Sequence, residues 1–156
     1  MKNWNTVKIS SYGLQDQLNK IPTTSGWYMI YTNVPIYELE TLKRLKNSSA
    51  IDIKKRVVNA KLFCSEFIIK ENTDKKYCVY IGHQVNLRRR IKEHFCGAKR
   101  TGCLSLFKHQ KLKKYQWEVL YFDFNKMDGL ENCNLTRTIF ENNIRREFGW
   151  PILCAK

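Results

Sequence analysis

The chain has 156 residues, 43% of them hydrophobic and 13% aromatic, which is enough to bury a core and excludes a disordered or low-complexity chain. Lys and Arg number 28 against 14 Asp and Glu, a formal charge of +14, so a polyanionic partner is expected, nucleic acid ahead of an anionic membrane surface. No apolar run is long enough to span a bilayer, and the opening MKNWNTVKISSYG has no signal-peptide core, so one domain covering 1–156 in the cytoplasm is expected.

In chain order, Leu14 to Ile21 follows a Ser-Ser-Tyr-Gly turn and predicts a short helix. Pro22 to Gly26 is a turn, and the β-branched and aromatic run Trp27 to Thr32 reads as a strand. Pro35 breaks it. Leu39, Leu42 and Leu45 have helical spacing within Ile36 to Lys46. The run KLFCSEFIIKE, 61–71, is ambiguous between helix and strand, with strand preferred. Tyr77 to Ile81 is a strand, and Asn86 is a good N-cap for a helix from Leu87 to about Phe95. Leu104 to Leu112 reads as helix. Gln116 to Phe124 reads as strand, with Trp117, Val119 and Tyr121 alternating inwards. In the last helix Asn134 is the expected cap, Phe140, Ile144 and Phe148 recur every four residues, Gly149 stops it and Pro151 forbids its resumption. Strands and helices mix without strict alternation, which favours an α+β fold.

The six cysteines form no CxxC pair and read as reduced thiols in a chain without an export signal. His94, Cys96, Cys103 and His109 match no common zinc spacing.

Several short motifs occur in a fixed order. Gly26-Trp27-Tyr28 opens a strand, Tyr80-Ile81-Gly82 ends a later one, and the run GHQVNLRRRIKEH follows at once. Arg90 lies ten residues after Tyr80, His94 four after that, and Glu141 stands on the last helix. This ordered set resembles the GIY-YIG nuclease family. The resemblance covers roughly residues 24–32 and 77–154. It implies a small three-stranded antiparallel sheet flanked by helices. Two features depart from the family pattern. Tyr28 and Tyr80 are 52 positions apart, so a segment of about 34–74 must loop out after the first strand and return. The asparagine that usually follows the glutamate helix is missing, and Trp150-Pro151-Ile152-Leu153-Cys154 stands in that region.

The resemblance implies hydrolysis of a phosphodiester in DNA, with a divalent cation, Mg²⁺ or Mn²⁺. Tyr28 would activate the attacking water. Since a free phenol ionises near pH 10, a positive field, Tyr80 and His94 are expected to help. Arg90 would hold the phosphate and Glu141 the cation at the leaving 3′ oxygen. Spacing agrees: Arg90 and His94 share a helix face, and Glu141 sits at the margin of the Phe140–Ile144 stripe. Each residue also has a plain reading. Tyr28 and Tyr80 could be core aromatics, His94 a helix-end cation, and Glu141 a partner for Arg145. Arg88, Arg89, Lys99, Arg100, Lys108 and Lys111 are candidate nucleic-acid contacts, with a further basic group from Lys43 to Arg56 in the insertion. A restriction-type enzyme is the preferred subtype, and a homodimer or two binding events would be needed to cut both strands. The alternatives are a non-catalytic nucleic-acid-binding module on the same fold and a structure-specific or repair nuclease.

Overall fold

The computed structural model describes residues 4–46, 49–63, 65–72, 74–127 and 132–154. Strands β1 (Asn5–Ile9), β2 (Gly26–Thr32), β3 (Tyr77–Gln84) and β4 (Trp117–Asp123) form one antiparallel sheet in the order β1-β4-β2-β3. The sheet therefore has four strands, not the expected three. The added strand β1 buries Val7 and Ile9 and lies along β4, with Ile9 opposite Trp117. Five residues of alternating pattern are too few to declare a strand alone; the partner strand makes it one.

The helices are α1 (Leu14–Asn19), α2 (Ile36–Glu40), α3 (Ile53–Phe63), α4 (Leu87–Cys96) and α5 (Asn134–Phe148). Helix α2 stops well short of Lys46, at Thr41, whose hydroxyl donates back to the Glu38 carbonyl. Leu39 and Leu42 are buried all the same. Helix α3 overturns the strand preferred over 61–71. The Asp52 carboxylate accepts the Lys55 N–H at 3.0 Å and caps it, and Ile53, Val57 and Ala60 are buried along one side. Of that expected strand only Ile68 makes a bridge, to Trp150; residue 64 lies outside the described residues. Helix α4 forms as read, with Asn86 Oδ1 accepting the Arg89 N–H at 2.9 Å. The expected helix over 104–112 is two 3-10 turns, Leu106–Lys108 and Gln110–Lys114, separated by an extended His109. Helix α5 is capped by the Cys133 sulfur, which accepts the Thr136 N–H at 3.4 Å, rather than by Asn134. Gly149, at φ 99°, ends it as expected.

The sheet carries packing on both faces. On one, Tyr28, Ile30 and Val119 join Leu87, Ile91 and Phe95 of α4 in a core that also takes in Leu39, Ile53 and Val57 from the insertion. On the other, Trp27 packs against Phe122, Phe124 and Phe140 of α5. The C-terminal segment runs along the outer edge of β3. The Leu153 N–H donates to the Val79 carbonyl at 3.0 Å, and the Cys154 thiol donates to the Ile81 carbonyl and accepts the Ile81 N–H, at 3.4 and 3.3 Å. Edge groups that would otherwise be open to another chain are thereby paired.

Candidate active site

Strands β2 and β3 are neighbours although the insertion separates them in sequence. Tyr28 stands opposite Gly82, and Ile30 opposite Tyr80. The register shifts beyond Ile30, so that Tyr31 faces Cys78 and Val79 is the extra residue of a bulge. Strict alternation from Tyr77 would turn Tyr80 to the far face. The bulge returns it to the Tyr28 side. The two phenol rings are nearly parallel, 6.1 Å apart at their centroids. Gly82 is needed at this point: a Cβ there would lie 2.6 Å from Tyr28 Oη and 3.1 Å from a Tyr80 ring carbon.

Helix α4 brings His94 beneath both tyrosines. Its Nε2 is 2.8 Å from Tyr28 Oη, and its ring is 4.6 Å from that of Tyr80. Its Nδ1 lies 3.3 Å from the Leu104 backbone nitrogen. A backbone N–H can only donate, so Nδ1 is the bare nitrogen. Burial first, then the Arg90 charge, hold His94 well below the usual histidine range, so the ring is neutral and its proton is on Nε2. His94 therefore donates to Tyr28. The helix-end cation reading does not apply, and His94 is not placed to take the phenol's proton.

Tyr28 is itself buried, and desolvation raises its pKa well above that of a free phenol, with the Tyr80 and Glu141 charges adding to the rise. Arg90 opposes this by charge and as a hydrogen-bond donor. The expected help from positive charge is thus present but outweighed by burial. Tyr80 is shifted the same way, burial again leading. Arg90 does not swing freely: Nη1 donates to Glu93 at 3.0 Å and Nη2 to the Gly102 carbonyl at 2.7 Å.

Glu141 reaches the same cluster from α5. It lines a cleft of about 500 Å³ with Tyr80, Arg56, Arg145, Trp150 and Cys154. It pairs with Arg145 one turn on and lies 3.7 Å from His83 Nε2. Burial, then Arg137 and Arg145, lower the His83 pKa, so this ring too is neutral beside the carboxylate. Among the described residues no three His, Cys, Asp or Glu side chains gather as a metal group. The donor set of the cleft is one carboxylate, the Tyr80 phenol oxygen and a thiol whose pKa is raised by burial and which is engaged by Ile81. That suits a hard cation that keeps most of its water and takes phosphate oxygens, as Mg²⁺ does, and not a nitrogen- and sulfur-seeking ion.

Of the basic residues singled out from sequence, Arg88 is committed to the fold, donating to the Ile21 and Asn19 carbonyls at 2.6 and 3.0 Å. Arg89 is exposed and pairs with Glu93. Lys99, Arg100, Lys108 and Lys111 are exposed. Three side chains in the cluster escaped the reading of the sequence as site residues. His83 directly follows Gly82, a position that alternation alone sends to the other face. Arg145 reads in the sequence only as a partner for Glu141. Arg56 reads in the sequence as one of the basic residues of the insertion, with no signal to aim it at the cleft that Tyr80 lines.

Residues 64–144, just over half the chain, match the family description "GIY-YIG catalytic domain". The matched range contains Tyr80, Arg90, His94 and Glu141 and starts beyond Tyr28. No curated protein and no solved structure matches the chain.

Proposed function

The chain belongs to the GIY-YIG nuclease family, and from that premise we propose that it is a divalent-cation-dependent DNA endonuclease in which Tyr28 is the base. The observation that carries this reading is the buried Tyr28–His94 hydrogen bond with the Leu104 N–H fixing the imidazole behind it. A core tyrosine needs only one partner for its hydroxyl. Here the oxygen receives the His94 proton while Arg90 adds positive charge, an arrangement that favours phenolate once the proton leaves.

In this mechanism a water held against the phosphodiester gives its proton to the Tyr28 oxygen, and the water oxygen attacks phosphorus in line with the leaving 3′ oxygen. His94 holds the phenolate by Nε2–H and keeps its own charge state. Arg90, fixed by Glu93 and Gly102, stabilises the added negative charge without reorganising. Glu141 would hold Mg²⁺ or Mn²⁺, and the bound ion supplies Lewis-acid stabilisation of the leaving oxygen. Tyr80 packs over His94 and closes the site on the β3 side. The exposed lysines and Arg100 contact flanking phosphates, and the insertion gives the enzyme its site preference in the manner of a restriction enzyme. A homodimer would cut both strands.

The test is cleavage of supercoiled and linear DNA with Mg²⁺ and with EDTA. Tyr28→Phe and Glu141→Ala are expected to keep DNA binding and lose cutting by about 10²-fold or more. Because burial raises the Tyr28 pKa, the phenolate is scarce at neutral pH. The wild-type rate should rise about tenfold per pH unit above neutrality. The Glu141–Arg145 ion pair favours the second reading, a binder that has lost its chemistry. DNA that shifts in a gel but stays intact at every pH with Mg²⁺ or Mn²⁺ would establish it.

A further inference from the structure

The insertion between β2 and β3 also builds a groove beside the cleft, and we infer that this groove receives an unstacked nucleobase of the DNA strand whose phosphodiester lies in the cleft. This rests on the nuclease reading above and adds to it a subsite for the nucleotide next to the scissile bond.

The groove measures about 790 Å³ and shares Arg145 and Trp150 with the cleft as a common wall. Phe67 and Ile69 line it from the insertion, and Phe148 lines it from the end of α5. Backbone pairing ties the two sides together. The Trp150 N–H donates to the Phe67 carbonyl at 2.7 Å, and the Ile69 N–H donates to the Trp150 carbonyl at 3.0 Å. Gly149 permits this approach: its φ is 99°, and a Cβ there would lie 3.0 Å from the Phe67 oxygen and 3.1 Å from Ile69 Cγ1. Arg145 steadies the shared wall, pairing with Glu141 in the cleft while its guanidinium lies 4.9 Å from the centre of the Trp150 ring. Phe67 is therefore carried on a pinned backbone, yet it is 70% exposed. A large apolar ring fixed in solvent beside an active site is a contact surface.

Charge decides what the groove takes. Lys70, Arg145 and Arg146 line it against Glu66 and Glu147, and Arg145 is already paired with Glu141. The groove is thus close to neutral and does not select a phosphate. A flat, uncharged group with polar edges fits it, because the rings offer stacking faces and the carboxylates can accept from exocyclic amino groups. A second copy of the chain is disfavoured, since each copy carries +14, whereas the same charge draws a nucleic-acid strand in. A base within a duplex shows only its edges, so a base seated here has left the stack.

Phe67→Ala tests the subsite without touching the cleft. Two labelled duplexes of matching sequence, one fully paired and one with a single-nucleotide bulge, are bound in EDTA across a salt series, with thermal melting of each protein alongside. The wild type is expected to bind the bulged duplex about tenfold more tightly, because its extra base needs no unpairing. Phe67→Ala should melt as the wild type does and lose about tenfold on the bulged duplex alone, the loss of one stacking contact. Its salt slope should not change, since no phosphate contact is removed. Phe67→Tyr keeps a ring and should keep the preference. Equal binding of the two duplexes by the wild type, or a Phe67→Ala loss shared by both, overturns the inference. So does a wild type that sediments as a dimer without DNA and as a monomer after Phe67→Ala, because a second copy then covers the groove. Binding is read without cleavage, so a wild type that prefers the bulge but never cuts sinks the nuclease reading and leaves the base subsite standing. A wild type that binds neither duplex overturns both.

Discussion

Gly82→Ala isolates geometry from chemistry, because it removes no functional group. The backbone at this strand position suits alanine. The new methyl, however, would lie 2.6 Å from Tyr28 Oη and 2.8 Å from Cζ, about 0.8 Å inside ordinary contact. Tyr28 is 1% exposed, so the ring cannot swing into solvent and must slide within a packed face. A slide of that size carries Oη out of hydrogen-bond range of His94 Nε2, now at 2.8 Å. Misplacing a reacting group by about 1 Å costs on the order of 10²-fold in rate, while overpacking costs about 1–3 kcal/mol of stability. The assay is single-turnover plasmid cleavage beside a denaturant melt. The expected outcome is a folded protein that still binds DNA and cuts about a hundredfold more slowly. Cleavage at the wild-type rate would refute the claim that Tyr28 needs this position over Gly82.

Acid should destabilise the fold through His94. Its pKa is lowered in the fold, burial leading, so the unfolded chain binds the extra proton. The stabilising contribution is complete above about pH 6.5 and falls by up to about 1.4 kcal/mol per unit below it. Urea midpoints from neutral to mildly acidic pH should show that slope in wild type and a flatter one in His94→Gln; a flat wild type would exclude a buried neutral imidazole. Cys154→Ser keeps a donor and an acceptor for Ile81, whereas Cys154→Val leaves both backbone groups without that partner. The valine variant should unfold with about 1–3 kcal/mol less stability and the serine variant with less loss, read from denaturant midpoints. Asn86→Ala should cost about 1 kcal/mol by removing the α4 cap, checked in the same way.

Local signals in the sequence carried the parts of the fold that are locally determined. Asn86 capping α4, the Trp117–Val119–Tyr121 alternation and Gly149 ending α5 each depend on a few adjacent residues. What was not legible depends on distant partners. Strand β1 exists because β4 offers it an edge. The run Lys61 to Phe63 is helical because a cap nine residues before Lys61 starts the helix. The site divides in the same way. Tyr28, Tyr80, Arg90, His94 and Glu141 could be named because ordered spacing marks them, but their mutual arrangement rests on the Val79 bulge and the Leu104 N–H, neither of which has a sequence signature.

The long insertion is less disruptive than its length implies. It joins β2 to β3, and β3 is the edge strand of the sheet. It leaves after Thr32 and returns at Tyr77, and these two residues face each other in the ladder. A loop between paired neighbours crosses no other strand, and doubling its length costs only about 0.6 kcal/mol of closure entropy. That position also fixes where its residues go. Tyr28 and His94 lie on one face of the sheet and α5, with Glu141, packs on the other. Tyr80 on the edge strand packs with both sides and lines the cleft with Glu141, so that cleft opens over this edge. The insertion passes this edge, where Ile69 N–H donates to the Trp150 carbonyl at 3.0 Å and Trp150 N–H to the Phe67 carbonyl at 2.7 Å. The β3–β4 connection supplies α4 with Arg90 and His94; the β2–β3 insertion leaves and returns at the edge strand, and so its helix α3 brings Arg56 to line the cleft with Tyr80 and Glu141.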